Sequence, residues 1–155
     1  VGTVFKLHLI DEREEWCNSP NISQSTRRHQ LNPMDFIKSW QWHTERSWII
    51  ILTHSHELDF ALTKSLAPLH FPYLGLIGSK TKWRRFRNRL ASEGLEAQTL
   101  DKIYCPIGLD LGGETPQEIA ISISAEVISL CHKHKATFSS AAKNWSSLQD
   151  DPCEA

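Results

Sequence analysis

The sequence predicts an α/β fold of three layers, in which a parallel sheet lies between helices. Segments typical of strands alternate with segments typical of helices, in the order strand, helix, strand, helix, strand, helix. Residues 48–52 form an apolar run rich in β-branched side chains, which is typical of a strand buried on both faces. Because consecutive parallel strands are joined by right-handed, usually helical crossovers, this alternation favours a parallel sheet.

The composition excludes several classes of protein. Of the 155 residues, 40% are hydrophobic and 23% are charged, which is typical of one globular domain. The net charge of −1 gives no general attraction to nucleic acid, and no apolar run approaches the roughly 20 residues of a membrane span. The four cysteines show no CxxC spacing, which disfavours a zinc site and fits free thiols in a reducing cytoplasm. We therefore expect a cytoplasmic protein that binds neither nucleic acid nor membranes.

The first predicted strand covers residues 4–10, which are rich in strand-forming side chains, and Asp11 follows it. In Rossmann-like sheets an acid at the carboxyl end of the second strand binds the ribose hydroxyls of a nucleotide. The alternative is that Asp11 only ends a strand. Residues 14–32 are polar and without periodicity, so we expect a mobile loop there. Asn32 and Pro33 then predict the beginning of a short helix.

Polar residues follow the buried strand of residues 48–52. His54, His56 and Asp59 come after the carboxyl end of this strand, where parallel α/β sheets bind their ligands. A histidine pair followed by a carboxylate can also bind a metal ion. Capping of the next helix and hydrogen bonding within a ligand pocket explain the same residues without a metal. Because the sequence shows no second cluster of ligands, we expect no metal.

Residues 73–85 predict a short buried strand, a glycine turn and the beginning of a basic helix. Ser79 is a suitable N-cap, and Gly78 allows a sharp turn and the close approach of a ligand. The free N–H groups and the positive dipole end of a helix N-terminus bind anions. Four cations nevertheless crowd the first two turns, which indicates a phosphate-bearing partner; they are Lys80, Lys82, Arg84 and Arg85. The alternative is a solvated basic helix face.

A glycine-rich loop and a long helix are predicted near the end of the chain. The loop has three glycines in six residues, which indicates special backbone geometry; they are Gly108, Gly112 and Gly113. Thr115, Pro116 and Glu118 form the signature of a helix N-terminus, with a cap, a first-turn proline and a capping-box acid. We expect this helix to end near His132.

The domain boundaries follow from composition. Residues 96–103 predict a short helix, and the chain from residue 135 onward is rich in serine, lysine and aspartate. We therefore assign residues 1–134 to one Rossmann-like domain and residues 135–155 to a flexible polar tail. No strand with a GxGxxG turn precedes the first predicted strand, so the domain is expected to lack its first strand and glycine loop, which would lie upstream of Val1.

Three motifs together resemble those of a known family. They are Thr53-His54 with His56 and Asp59, the sequence YLGLIGSK at residues 73–80, and the sequence PIGLDLGGETPQEIA at residues 106–120. In order and spacing they resemble the C-terminal Rossmann-type domain of xanthine dehydrogenase accessory proteins (the XdhC/CoxI type), over roughly residues 3–131. The N-terminal domain of that family, and its first βα unit with a glycine turn, have no counterpart in this chain.

The resemblance implies a maturation factor rather than an enzyme. Proteins of this type bind molybdenum cofactor (molybdopterin), assist its sulfuration and insert it into xanthine dehydrogenase or related molybdenum hydroxylases in the cytoplasm. A homodimer, and a cysteine desulfurase as a further partner, are also implied. Two alternatives stay open: a Rossmann oxidoreductase that binds NAD or FAD, and a docking or dimerisation fragment that binds no small molecule.

The resemblance also implies which residues bind the cofactor. The turn opening the basic helix is expected to hold the phosphate, and the histidines are expected to donate to the pterin or to the oxo groups of the metal. No nucleophile is paired with a base in the sequence, so we expect no catalytic residue. The expected cofactor-binding residues are Asp11, His54, His56, Asp59, Gly75, Gly78, Ser79, Lys80, Gly108 and Gly112.

Overall fold

Short parallel strands alternate with helices in the computed structural model, which describes the backbone of residues 5–141 and the side chains of residues 5–134. The chain divides into two units, at residue 106, and each is described by itself. The elements of the first unit are β1 (His8–Ile10), α1 (Glu14–Cys17), β2 (Arg27–His29), α2 (Pro33–Ser39), β3 (Trp48–Ile51), α3 (His56–Leu66), a 3₁₀ turn (Ala67–Leu69), β4 (Tyr73–Leu76), α4 (Lys80–Ser92), α5 (Ala97–Leu100) and β5 (Ile103–Tyr104); α6 (Pro116–Ala141) belongs to the second. Every strand pairing among the described residues is parallel, which confirms the predicted α/β fold with parallel strands.

The N-terminal sheet consists of β1 and β2. Arg27 N–H donates to Leu7 O at 2.9 Å, and Asp11 N–H donates to His29 O at 3.2 Å at the other end of the pair. The prediction of a mobile loop for residues 14–32 is therefore wrong, since α1 and β2 lie within it. β2 is short and polar, and its pairing with β1 is a non-local contact that no local sequence pattern reveals.

Helix α2 begins as predicted from the sequence. Asn32 Oδ1 accepts the N–H of Met34 at 2.9 Å, and Pro33 occupies the first helical position. Phe36 of this helix is buried and stacks on Trp40, with ring centroids 4.7 Å apart. Both rings also lie against histidines of β1 and β2. The N-terminal sheet therefore has a small aromatic cluster of its own.

The second sheet has the order β3-β4-β5 and carries the main hydrophobic core. All four residues of β4, the central strand, are buried. Burial of a large apolar side chain stabilises the fold by roughly 1.5–3 kcal/mol. Strands β3 and β4 and helices α3 and α4 share this core, which includes Ile51, Phe60, Leu62, Leu66, Leu74, Leu76, Phe86 and Leu90.

The predicted helix at residues 96–103 is correct only in its first half. Helix α5 ends at Leu100, and Ile103 then begins β5, where it pairs with Leu74 of β4. A strand of two residues has no periodicity that could be read from sequence. Its conformation is specified by the neighbouring strand.

Strand β3 is an edge strand, although its sequence predicted burial on both faces. It pairs with β4 alone among the described residues. Ile51 is 3% exposed, but Ile50 and Leu52 are 42% and 54% exposed. Within residues 5–141, β1 and β3 belong to separate sheets. The apolar run of β3 is typical of a strand buried on both faces, but the described residues bury only some of its side chains.

The second unit contains the glycine-rich loop and α6. Thr115 N–H donates to Glu118 Oε2 at 2.9 Å, and Glu118 N–H donates to Thr115 Oγ1 at 3.3 Å, which confirms the predicted capping box. Helix α6 continues to Ala141 instead of ending near His132, so the first part of the predicted tail is helical. The rest of that tail, residues 142–155, lies outside the described residues. None of the helices in the described part of the chain is long and apolar enough to span a membrane.

Candidate functional site

The N-terminus of α4, directly after the carboxyl end of β4, is the candidate site. Ser79 is the N-cap, as predicted, and its Oγ accepts the N–H of Lys82 at 3.1 Å. The N–H groups of Lys80 and Thr81 belong to the first turn of the helix, where no intrahelical acceptor exists. These donors and the positive end of the helix dipole offer a site for an anion.

A cleft of about 190 Å³ opens at this helix N-terminus. Lys80 is exposed and does not line the cleft. Arg85 does line it. The volume suits a phosphate-sized anion, since pockets that enclose a whole small molecule measure roughly 300–1,000 Å³. The lining residues are His56, Ser79, Thr81, Lys82, Arg85 and Phe86.

A buried ion pair lies close to this cleft. Lys82 Nζ donates to Asp59 Oδ2 at 2.6 Å and to Ile77 O at 2.8 Å, and the two charged side chains are 12% and 1% exposed. Asp59 Oδ1 accepts from the N–H of Thr53 at 3.1 Å and from its hydroxyl at 2.7 Å. Gly78 leaves room for this arrangement, because a Cβ there would lie 2.5 Å from Lys82 Cδ. The pair therefore links the ends of β3 and β4 to α3 and α4.

The predicted site residues of this region have different surroundings. The carboxylate of Asp59 is used within the protein, where it positions Lys82. Gly75 is buried in β4. His54 and His56 are both exposed, and His56 lines the cleft.

Asp11 lies at the carboxyl end of β1. Arg13 donates from Nε to Oδ1 at 2.9 Å and from Nη2 to Oδ2 at 2.7 Å. These hydrogen bonds lower the pKa of Asp11 below its ordinary value, and the nearby charges of Arg13 and His54 contribute in the same direction.

Gly108 and Gly112 belong to the second unit, and both have positive φ, at 94° and 68°. Gly108 N–H donates to Glu126 Oε2 at 2.9 Å, and a Cβ at Gly108 would collide with Ser122 and lie 3.1 Å from the backbone nitrogen of Ile123. The backbone approach predicted for Gly108 is therefore made by α6. Gly112 has open space around it, since no atom outside its neighbours lies within 4 Å of a Cβ there.

Cys105 lies directly after β5 and near the ion pair, and no sequence signal marked it. Burial raises the pKa of its thiol to about 11. The positive charge of Lys82 lowers this pKa and the negative charge of Asp59 raises it, so both charges lie close to the sulfur. At neutral pH the thiol is therefore protonated.

We expect Cys105 to be alkylated slowly by iodoacetamide near neutral pH, because the thiolate is the reactive species. The rate should rise steadily with pH and continue to rise above the ordinary thiol pKa of 9.0, toward a midpoint at about 11. Mass spectrometry of the Cys105 peptide after timed labelling measures this rate. The same protein unfolded in urea is the control, and a plateau near pH 9 in the folded protein would contradict the expectation.

A parallel α/β fold with a capped helix N-terminus at the carboxyl ends of its strands defines the class of Rossmann-type binding domains. Comparison with protein families identifies the particular family. The family model described as the XdhC Rossmann domain matches residues 2–127 of this chain. The chain therefore belongs to the XdhC Rossmann-domain family. This result confirms the resemblance inferred from the three sequence motifs.

Three relatives show the extent of the similarity. The chain is 25% identical over 128 residues to a probable xanthine dehydrogenase subunit of Bacillus subtilis (strain 168), which covers 83% of this chain and 36% of the relative. It is 34% identical over 82 residues to the uncharacterized protein YqeB of Escherichia coli (strain K12), which covers 53% of this chain and 15% of that protein. A crystal structure of a xanthine dehydrogenase from Bacillus halodurans matches with a TM-score of 0.69 and 26% identity, over 83% of this chain and 36% of the other. The chain thus spans about a third or less of the length of these relatives.

Proposed function

We propose that this chain is the cofactor-binding part of an accessory protein for xanthine dehydrogenase-type molybdenum hydroxylases, and that it is not itself an enzyme. Membership of the XdhC family supports the proposal, as do the two relatives whose names include xanthine dehydrogenase. The single observation that carries it is the cleft at the N-terminus of α4, with its backbone donors and Arg85.

The donors of the cleft fit the phosphate of molybdopterin. A phosphate monoester carries about −1.5 to −2 charge at neutral pH, and its oxygens form charge-assisted hydrogen bonds that are roughly twice as strong as neutral ones. The N–H groups of Lys80 and Thr81 and the guanidinium of Arg85 would hold this phosphate. His54 and Asp11, which follow β3 and β1, would hold the remainder of the ligand, for which the cleft alone is too small.

The bound group would supply the molybdenum centre of the target hydroxylase. The residues of this chain only bind it and orient it. The family implies further parts of the proposal. These are assistance with sulfuration, insertion into the hydroxylase, a cysteine desulfurase partner, a homodimeric state and a cytoplasmic location.

The proposal can be tested with molybdopterin released from a purified molybdenum hydroxylase under anaerobic conditions. Ultrafiltration followed by fluorescence of the oxidised pterin measures the fraction bound. We expect Arg85→Ala to weaken binding about 10–100-fold, since a hydrogen bond to a charged group contributes roughly 1.5–3 kcal/mol. Lys80→Ala should have a smaller effect, because Lys80 does not line the cleft.

Arg84→Ala is the matched control, because Arg84 is an exposed neighbour on the same helix and does not line the cleft. It removes the same charge and should leave binding unchanged. Equal losses in the Arg84 and Arg85 variants would indicate unspecific attraction to a basic helix and contradict the proposed site. Retention of NAD or FAD instead of the pterin would favour the oxidoreductase alternative.

A further inference from the structure

Two histidines of the N-terminal sheet are hydrogen-bonded to each other. His8 lies on β1 and His29 on β2, and His8 Nδ1 lies 3.0 Å from His29 Nε2. The ring planes are 7° apart and the ring centroids are 5.2 Å apart, so the two nitrogens lie between the ring centres and close to both planes. The distance and the alignment are those of an N–H···N hydrogen bond between imidazoles.

The pair lies within the aromatic cluster of this sheet. The ring of Trp40 is close to perpendicular to both imidazoles, and its centroid lies 5.1 Å from that of His8 and 5.6 Å from that of His29. The centroid of Phe36 lies 4.9 Å from that of His29. Both histidines are half-buried. The hydrogen bond therefore forms in a surrounding that is partly shielded from water.

The hydrogen bond depends on the number of protons that the pair carries. A neutral imidazole has one N–H donor and one acceptor nitrogen, whereas an imidazolium has two donors and no acceptor. The neutral pair can therefore form the bond, and so can the pair with one added proton, because one acceptor nitrogen remains. After a second proton is added, two N–H groups and two positive charges would face each other across 3.0 Å.

The surroundings of the pair disfavour the charged form of His29. Burial lowers the pKa of His29 below its ordinary value of 6.5, and the positive charge of Arg27 on the same strand acts in the same direction. Two acids of the adjoining segments pair with cations of their own, Asp11 with Arg13 and Asp35 with Lys38. The other titratable side chains of these segments are Lys6, Glu12, Glu14, Glu15, Cys17 and Arg28.

We propose that the His8–His29 pair is an acid-sensitive latch, which holds β1 on β2 and releases it when both imidazoles carry a proton. The same strands share main-chain hydrogen bonds, among them Asp11 N–H to His29 O at 3.2 Å, so the latch also holds an expected cofactor-binding residue in place. Among the described residues, the main hydrophobic core includes none from β1 or β2, so these strands can separate without loss of that core. The inference uses the contacts of this sheet and does not depend on the proposed cofactor.

Amide hydrogen exchange of the 155-residue protein, followed by NMR between about pH 8 and about pH 4.5, tests the proposal. The open sheet binds protons that the closed sheet disfavours. The closed form is therefore fully favoured above the ordinary histidine pKa of 6.5 and is lost as the pH falls through the lowered pKa of His29. For each proton taken up on opening, the ratio of open to closed protein should rise up to about tenfold per pH unit.

The amides of Asp11 and Arg27 measure this ratio, because their N–H groups bond between the two strands. Their exchange rates are corrected for the intrinsic effect of pH on amide exchange. The amides of β4 are the internal reference, since this strand is completely buried. We expect the corrected rates to rise in acid at Asp11 and Arg27 and to stay constant in β4.

The variant His29→Gln separates the proton from the hydrogen bond. Its amide oxygen can accept from His8 but takes up no proton in this range, so the acid transition should disappear while the sheet stays closed. His43→Gln is the matched control, because His43 is an exposed histidine outside the pair, and it should leave the transition unchanged. His8→Asn repeats the test from the other strand if His29→Gln does not fold.

Three outcomes would overturn the proposal. The first is an equal acceleration of exchange in β4, which would indicate acid unfolding of the whole unit. The second is an acid transition that persists in folded His29→Gln or His8→Asn, which would show that other groups titrate. The third is a pair of imidazoles whose ¹⁵N chemical shifts show both to be charged while the amides of Asp11 and Arg27 stay protected.

Discussion

Replacing Lys82 by methionine is expected to lower the free energy of unfolding by about 3–5 kcal/mol. Asp59 is almost completely buried, and Lys82 is the cation that pairs with it at 2.6 Å. Methionine keeps most of the length of the side chain but leaves the buried carboxylate without its countercharge, with only the hydrogen bonds from Thr53. The loss is therefore much larger than for a surface salt bridge, which contributes roughly 0–1 kcal/mol. Urea unfolding followed by circular dichroism measures it.

Lys80→Met is the control for this prediction, because Lys80 is exposed in the same helical turn. It should change the free energy of unfolding by less than about 0.5 kcal/mol. The double variant with Asp59→Asn and Lys82→Met removes both charges, and it should be more stable than Lys82→Met alone. If Lys82→Met cost no more than Lys80→Met, the pair would behave as a solvated one and its structural role would be refuted.

The second large effect is expected for Gly108→Ala. A non-glycine residue at positive φ costs roughly 1–3 kcal/mol of backbone strain, and overpacking against a fixed backbone costs roughly another 1–3 kcal/mol. Gly108 meets both conditions, since its φ is 94° and its Cβ would press on Ser122 and the backbone of α6. Unfolding of the full chain, followed by the helical signal at increasing urea, measures the sum of the two costs.

Gly112→Ala separates these two contributions. Gly112 also has positive φ, at 68°, but a Cβ there would meet open space. It should therefore carry the strain cost alone, of roughly 1–3 kcal/mol. Equal destabilisation by the two substitutions would show that the contact between Gly108 and α6 contributes nothing to stability.

Local sequence signals explain which parts of the fold could be predicted. Asn32 with Pro33, Ser79, and Thr115 with Glu118 all cap helices where the sequence predicted them. Such signals depend on residues within one helical turn, so they act independently of the rest of the fold. Strands β2 and β5 were missed because β2 is polar and β5 has only two residues. Their conformation depends on a partner strand elsewhere in the chain.

The same distinction applies to the candidate site. The cap at Ser79 and the basic helix are visible in the sequence, and the structure shows both. The pairing of Lys82 with Asp59 joins residues that are 23 positions apart, and no spacing rule connects them. Lys80 and Lys82 are the same type of residue in the same helical turn, but of these two only Lys82 donates to Asp59 of α3 and to Ile77 O after β4. Likewise, the sequence does not distinguish a glycine that is needed for packing, such as Gly108 against α6, from a glycine that lets a ligand approach.

The separation of the two sheets has a consequence for the dynamics of the first unit. The main hydrophobic cluster draws on β3, β4, β5 and their helices, whereas β1 and β2 contribute no residue to it. Proteins open in cooperative segments whose opening energies follow the apolar area that each segment buries. We therefore expect the N-terminal pair of strands, with its small aromatic cover, to have a lower opening energy than β3 and β4. We expect its amides to exchange with solvent through local opening, and those of β4 to exchange only on global unfolding.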